Sequence, residues 1–388
     1  MSSELPRPLG PYLLLRHLAS GGMGEVYLAH LAKDRRVCVV KTIRPEIALD
    51  DTMLQRFLDE AKTSAYLTHK NVAEVFDVGQ DEHRLAYMVV EFVSGRDLQS
   101  VMRRSKREGL PIPTDVALHI AGEFLDGLAY VHAARHPHSD EPLRIVHRDI
   151  SPHNVMVAFG GDVKIIDFGI ARSAVKRDVT QAGQAVGKVR YMAPEQARAE
   201  SVTSAADIWA ASIVLTELFT GKRFWADLPI ETILLRVATG MPPKSEALNA
   251  LPDGLRRILV RGLDLDAKKR PTAAALKAML LGAVDVPPSV GGTRALMAAL
   301  YAGEEQEEER ARTALIQEPT TVRANALWSR TATEDTPPGE RDVDTAAPTA
   351  SRIAVDPDAV AARLFRDPAD DDVSSTDESA PGSGGSDD

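Results

Sequence analysis

The feature that most constrains the fold is a change in the spacing of apolar residues along the chain. Up to about residue 95, the runs "EVYLAHL", "RVCVVKTI" and "LAYMVVEFV" are rich in β-branched residues and predict strands, and "DDTMLQRFLDEAKTSAYL" has helical spacing. From "PTDVALHIAGEFLDGLAYVHA" onward the spacing is helical and continues through 204–220, 229–239, 252–263 and 272–281. A strand-rich unit with one helix, followed by a larger helical unit, predicts an α+β fold.

The distribution of charge along the 388-residue chain indicates a further boundary near residue 282. From Ala283 onward there are 22 acidic residues and 9 arginines, whereas the first 282 residues carry 37 basic and 34 acidic residues. "GGTRALMAALYAGEEQEEERARTALIQE" is compatible with one more helix, but the sequence after it is rich in Pro, Thr, Ser, Asp and Gly and cannot bury enough apolar surface to offset chain entropy. We therefore predict a compact domain at 10–282, a helical extension at 283–318 and a disordered acidic tail at 319–388.

Composition also bears on where the protein works. The single cysteine, Cys38, permits no internal disulfide and favours a reducing compartment. No run of 18 apolar residues occurs, and the N-terminus is a poor signal peptide, so we expect neither a membrane span nor secretion. The prediction is a cytoplasmic protein, and we expect no nucleic-acid partner.

A glycine-rich turn, "ASGGMGEVYLA" at 19–29, joins two predicted strands. Glycines let the backbone approach phosphates and direct its N–H groups toward them, although alone such a turn is equally typical of a plain hairpin. Ala19 stands where the pattern G-x-G-x-x-G has its first glycine, whereas Gly21 and Gly24 fit it. The candidate nucleotide-binding residues of this turn are Ala19, Ser20, Gly21, Gly22, Met23, Gly24 and Val26.

A lysine and a glutamate follow the turn in order. Lys41 ends the next strand, where it can reach the α- and β-phosphates of ATP, and Glu60 in the following helix is its candidate counter-ion. Taken alone, each would be an ordinary surface charge.

Two acidic sites lie further along the chain. "IVHRDISPHNVMV" at 145–157 places Asn154 five positions after Asp149, and "KIIDFGIA" contains Asp167. Asp149 would accept the hydrogen bond of a substrate hydroxyl and orient it. The oxygens of Asn154 and Asp167, together with phosphate oxygens, are ligands that suit Mg²⁺ or Mn²⁺.

"APE" at 193–195, Asp207 and Arg270 complete a series of motifs in fixed order between residues 19 and 270. Over residues 10–282 this series resembles the Hanks-type protein kinases, especially the eukaryotic-like serine/threonine kinases of bacteria. The resemblance implies a two-lobed kinase fold that binds ATP in its cleft and phosphorylates Ser and Thr of proteins, itself included. It also implies a buried ion pair between Glu195 and Arg270, and a bracing role for Asp207 beneath the catalytic loop.

The same resemblance assigns four residues to the nucleoside part of ATP. Glu91 and Val93 would meet adenine through backbone groups of the hinge, Val90 would be the gatekeeper, and Asp97 would contact the ribose.

The chain departs from the family pattern at two positions. The family usually has a lysine two residues after the catalytic aspartate and a threonine in G-T-x-x-Y-x-A-P-E, where this chain has Ser151 and Lys188. The two positions face one another in the family fold. We therefore interpret the change as an exchange of parts, with Lys188 reaching the phosphate from the opposite wall and Ser151 taking over the role of the hydroxyl. Two unrelated losses in a decaying site are the alternative.

Three functions from different classes remain at this point: an active kinase, a pseudokinase that acts as a binding module, and a small-molecule phosphotransferase. The last class shares an H-x-D-x-x-x-x-N loop without the lysine, but "APE" and the segment before it favour a peptide substrate. A metal site in "HAARHPHSDEPLR" is not favoured, because no complete zinc-ligand spacing is present and the segment is typical of a polar insertion.

Two hydroxyl sites are candidates for regulation. Arg148 precedes Asp149, and a phosphate on Thr180 would pair with it and order the activation segment. The alternative is a segment that is ordered without phosphate. In the tail, phosphorylated Thr320 or Thr321 would form a docking site for a phosphothreonine-binding partner, with a solvated linker as the plain alternative.

Overall fold

The computed structural model describes residues 5–20, 24–43, 64–81, 85–167, 189–226, 228–241, 243 and 245–317, together with Leu54, Phe57 and Ala61, which are helical. The first part is a six-stranded antiparallel sheet in the order β1-β2-β3-β4-β6-β5. Its strands are β1 (Arg7–Leu9), β2 (Tyr12–Ser20), β3 (Gly24–Leu31), β4 (Val37–Ile43), β5 (Val75–Gln80) and β6 (Ala86–Glu91).

Both faces of this sheet are apolar, because successive side chains of a strand point to opposite faces. In β4, Cys38 and Val40 lie in a cluster on one face, whereas Ile43 lies in a cluster on the other. The second cluster includes the helical residues Phe57 and Ala61, so the helix of this part packs on that face. The apolar residues whose helical spacing was noted in the sequence therefore include Phe57 and Ala61, which pack against the sheet.

The second part contains ten helices among the described residues and a small sheet. The helices are α1 (Leu98–Glu108), α2 (Thr114–Ala133), α3 (Pro194–Ala197), α4 (Ser204–Thr220), α5 (Ile230–Ala238), α6 (Glu246–Asn249), α7 (Asp253–Gly262), α8 (Ala273–Gly282), α9 (Val290–Leu300) and α10 (Glu304–Gln317). The small antiparallel sheet consists of β7 (Gly95–Asp97), β8 (Val155–Ala158) and β9 (Val163–Ile165).

One large apolar core joins these helices, with α2 and α4 buried at its centre and Trp209 fully enclosed. Burial of apolar residues continues past residue 282, since Met297, Leu300 and Tyr301 belong to the same core. The predicted α+β arrangement of a strand-rich part and a larger helical part is confirmed. Within the described residues, none of the helices combines the length and the apolar character needed to cross a membrane.

Candidate active site

A cavity of about 270 Å³ lies between the two parts of the molecule. Its walls are mostly apolar, and a few polar groups lie among them, which is the usual character of a site for a small organic ligand. The lining residues are Leu18, Ala19, Val26, Val39, Lys41, Ser64, Ala73, Val75, Met88, Val90, Glu91, Phe92, Val93, Met156, Ile166 and Asp167.

The structure brings together about half of the residues that the sequence nominated for nucleotide binding. Those that line the cavity are Ala19, Val26, Lys41, Val90, Glu91, Val93 and Asp167. Those outside its lining are Ser20, Gly24 and Asp97. Gly21, Gly22, Met23, Glu60 and Lys188 lie outside the described residues.

Gly24 has a packing role of its own. A Cβ at this position would lie 1.7 Å from the backbone oxygen of Thr42 on the neighbouring strand, closer than any real contact. Glycine is therefore required where β3 approaches β4, whether or not a phosphate binds there.

Asp97 is engaged at the start of α1. Its carboxylate caps the helix by accepting hydrogen bonds from Ser100 N (3.0 Å) and Ser100 Oγ (2.6 Å), and it lies 3.3 Å from Nδ1 of His153. Burial by itself raises the pKa of Asp97, but the hydrogen bonds from His153 and Ser100 outweigh it, so that this pKa is lowered. Asp97 is thus an anion held next to the hinge.

An ion pair in the lining of the cavity joins the two parts of the molecule. Lys41, on β4 of the first part, pairs with Asp167, which follows β9 of the second part. Asp167 has a φ of 59°, in the left-handed region where aspartate is more common than most residues. The pair places a cation and a carboxylate in the lining of a mostly apolar cavity.

The catalytic-loop candidate Asp149 is almost buried, and Asn154 contacts it directly. The short 3₁₀ turn Pro152–Asn154 brings Asn154 back toward the aspartate, and Nδ2 donates to Asp149 O (2.7 Å) and Oδ2 (3.1 Å). The amide oxygen is then the atom of Asn154 suited to a cation. Carboxylate and amide oxygens such as those of Asp167 and Asn154 are the hard ligands that Mg²⁺ or Mn²⁺ prefers.

Asp207 supports this loop from below through two of its three hydrogen bonds. Its carboxylate accepts from the backbone N–H groups of His147 and Arg148, both at 2.8 Å, and from Nε2 of His132 at 2.8 Å. Arg148 has a φ of 64°, so the loop turns sharply where it is held. The bracing role expected of Asp207 is therefore present in the structure.

The ring of His147 links the loop to the residue before Asp167. Complete burial lowers the pKa of His147, which leaves the ring neutral. Its Nε2 donates to Ile166 O (3.1 Å), and its Nδ1 accepts from Asp149 N–H (3.3 Å). The positions of Asp149 and Asp167 are thereby coupled through one imidazole.

Sequence reasoning missed the role of His132. It grouped this residue with the nearby histidines of a polar insertion, whereas the structure places it at the end of α2 with Asp207 as its partner. The two residues are 75 positions apart, and no local pattern connects them.

Ser151 is the one buried hydroxyl of the loop that stays unsatisfied within the described part of the chain. The residue is 1% exposed, and its Oγ has no hydrogen-bond partner among the described residues. Leaving such a group unpaired costs about 1–3 kcal/mol, so a partner from residues 168–188 or from a ligand would be stabilising.

The described residues around "APE", from Val189 to Ala197, are held against the helical core. Arg270 donates two hydrogen bonds to Glu195, at 2.6 and 2.9 Å, and both side chains are buried, as expected. Tyr191 donates to Glu217 at 2.8 Å, and Gln196 Nε2 donates to Arg148 O at 3.1 Å. The residues around "APE" are therefore held in a fixed position relative to Asp149.

Comparison of the sequence with known protein families and proteins agrees with the fold described above. A family model described as "Protein kinase domain" matches residues 12–280. The chain is 34% identical over 317 residues to "Tyrosine-protein kinase MasK" of Myxococcus xanthus, an alignment that covers 79% of this chain and 48% of that protein. It is 32% identical over 279 residues to "Serine/threonine-protein kinase PrkC" of Bacillus subtilis, covering 71% and 41%. It is 36% identical over 238 residues to "Serine/threonine-protein kinase PknA" of Mycobacterium tuberculosis, covering 60% and 52%.

The chain thus spans about half the length, or less, of these relatives. Among solved structures, the kinase domain of PknI from Mycobacterium tuberculosis has the same fold, with a TM-score of 0.55 at 24% identity over 73% of this chain and 100% of that one. The chain belongs to the protein kinase domain family.

Proposed function

We propose that this protein is a serine/threonine kinase that transfers the γ-phosphate of ATP to hydroxyl groups of proteins, including its own. The observation that carries the proposal is that two polar pairs, Lys41–Asp167 and Asp149–Asn154, lie in or beside a mostly apolar cavity. The ion pair Lys41–Asp167 lies in the cavity lining, and His147 couples Asp167 to the hydrogen-bonded pair Asp149–Asn154. A mostly apolar slot with a lysine and a carboxylate in its wall suits a purine nucleoside triphosphate.

Each group then has a defined task. The apolar wall near Val90 and Val93 would hold adenine, and Lys41 would bind the α- and β-phosphates. Asn154 and Asp167 would hold Mg²⁺ or Mn²⁺, which supplies positive charge that offsets the charge of the phosphates.

Asp149 would accept the hydrogen bond of the substrate hydroxyl and orient its oxygen toward the γ-phosphorus. The bond from that oxygen to phosphorus forms while the bond from phosphorus to the β,γ-bridging oxygen breaks, ADP leaves, and the hydroxyl proton passes to Asp149.

The exchange of parts between Ser151 and Lys188 belongs to this proposal. The unsatisfied, buried Oγ of Ser151 supports it, because a hydroxyl in that place is poised to accept or donate a hydrogen bond once the site is complete. Lys188 would then supply the cation that stabilises the transferring phosphate.

The expected regulation completes the proposal. Thr180, Thr320 and Thr321 lie outside the described residues, and we propose them as phosphorylation sites on the sequence grounds given above. Protein substrates, a phosphothreonine-binding partner of the tail and action in the cytoplasm, where ATP is present, are parts of the same proposal.

The test is transfer of labelled phosphate from ATP to the protein itself and to a generic protein. Lys41→Met and Asp149→Asn should each abolish transfer, because one removes the phosphate-binding cation and the other the group that orients the nucleophile. The exposed residues Lys106 and Asp253 provide matched controls, and Lys106→Met and Asp253→Asn should retain activity.

The identity of the product separates the alternatives. Labelled phosphoserine and phosphothreonine are expected, and phosphotyrosine alone would place the chain with the relative named a tyrosine kinase. ATP binding without transfer would indicate a pseudokinase. ATP consumption with no labelled protein would indicate a small-molecule phosphotransferase.

A further inference from the structure

Helices α9 and α10 lie beyond residues 12–280, which the kinase family model matches, yet they pack against the kinase fold. Tyr301, between the two helices, is buried and makes an edge contact with Phe159 at 6.0 Å. Ser289 N donates to Asp115 O at 3.1 Å and fixes the start of α9 against α2. The start of α10 is therefore held at a defined place on the helical part.

Two arginines of the kinase fold hold α10 by its acidic residues. Arg104 of α1 donates to Glu304 at 2.6 Å, and Arg96 of β7 donates to Glu304 at 3.2 Å and to Glu308 at 3.1 Å. The guanidinium of Arg104 also lies 4.9 Å from the ring centroid of Tyr301, and that of Arg96 lies 5.1 Å from it. Several charges in one partly buried network form a stronger attachment than an isolated surface pair.

The next contact reaches the cavity itself. The guanidinium of Arg312, on the last turns of α10, lies 5.0 Å from the ring centroid of Phe92, and the Arg312 side chain is 17% exposed. Phe92 lines the cavity, and it lies in the short linker between β6 and β7 that joins the two parts of the molecule. One helix thus contacts this linker at Phe92 and the strand that follows the linker at Arg96.

We propose that α10 clamps this linker and sets the affinity of the cavity for nucleotide, with Arg312 as a positioning residue that acts through Phe92. The inference rests on the proposed function in one respect only, namely that the cavity binds ATP. The Arg312 cation over the face of Phe92 restricts the motion of a ring that forms part of the cavity wall. The hydrogen bonds from Arg96 to Glu304 and Glu308 hold β7, the strand into which the linker runs. Nucleotide then binds to a wall that is already in place and loses less freedom on binding.

The test compares full-length variants by KM for ATP, kcat, KM for a protein substrate, and calorimetric binding of ATP. Arg312→Ala should weaken ATP binding and raise KM for ATP about three- to tenfold, while kcat and KM for the protein substrate stay unchanged. Arg312→Lys keeps a cation over the ring and should recover part of the loss. Arg310→Ala is the matched control, because Arg310 is exposed on the same helix and its removal changes the charge equally.

A second pair of variants tests the other end of the clamp. Glu304→Gln with Glu308→Gln removes the partners of Arg96 and should also raise KM for ATP, whereas Glu305→Gln with Glu307→Gln alters two exposed residues of α10 and should not. If Arg312→Ala binds ATP as tightly as Arg310→Ala, the clamp is wrong although the proposed function stands. If the unaltered protein does not bind ATP, the proposed function fails and the clamp with it.

Discussion

At the scale of single residues, substitutions at Ser151 and Lys188 give the sharpest test of the proposed phosphoryl transfer. A preorganised charge that stabilises a transferring group is typically worth ~10²–10³ in rate. If Lys188 supplies the cation for the transferring phosphate, as we propose, Lys188→Thr leaves neither of these two positions with a cation and should reduce phosphoryl transfer by about that factor. Ser151→Lys alone brings two ammonium groups toward one aspartate, so repulsion should offset any gain.

The double variant Ser151→Lys/Lys188→Thr restores the family arrangement and should recover much of the lost rate. Rates of all four proteins form a double-mutant cycle that isolates the interaction between the two positions. Losses that merely add, with the double variant slower than either single one, would show that the two residues do not cooperate.

At the scale of elements, α4 carries a buried carboxyl that fastens the segment around "APE". Glu217 accepts hydrogen bonds from Tyr191 (2.8 Å) and from Phe224 N (2.9 Å). Burial raises the pKa of Glu217 above its ordinary value of 4.5, and the two hydrogen bonds offset only part of that effect. The folded state therefore retains this proton at pH values where the unfolded chain has released it.

The stability that this proton contributes is complete below pH 4.5 and is lost as pH rises through the raised pKa. Glu217→Gln cannot ionise and keeps an acceptor for Phe224 N, so the variant should gain stability over the unaltered protein as pH rises above 4.5. Denaturant midpoints of both proteins between pH 4.5 and 8 provide the measurement. A difference between the two that does not change with pH would contradict the role assigned to this carboxyl.

At the scale of the whole molecule, the apolar core of the helical part continues past residue 282 into α9 and the residue after it. Met297, Leu300 and Tyr301 are buried in the core of the helical part, and each such apolar side chain contributes roughly 1.5–3 kcal/mol. A chain that ends at 289 should therefore unfold at a markedly lower temperature than the full-length protein.

A chain that ends at 318 retains α9 and α10 and should keep both its unfolding temperature and its activity on a generic substrate. Thermal unfolding and phosphate transfer, measured on both truncated proteins, provide the check. A large loss of activity at 318 would show that residues 319–388 take part in catalysis.

Local patterns in the sequence determined many of the elements and nominated the candidate catalytic groups of this protein. Helix α4 begins and ends where the apolar spacing predicted, at Ser204–Thr220, because periodic burial is a property of neighbouring residues. Asp149 and Asn154 were recognisable for the same reason, since five positions of chain suffice to bring one to the other.

Only the tertiary structure decided which distant residues meet. His132 with Asp207, Tyr191 with Glu217, and Arg312 with Phe92 are pairs of ordinary residue types that lie far apart along the chain. Many arginines, histidines and acids offer the same hydrogen-bonding chemistry, so their sequence neighbours do not distinguish the pair that forms. Packing of the helices selects the partner, and that selection fastens α10 to the linker beside the cavity.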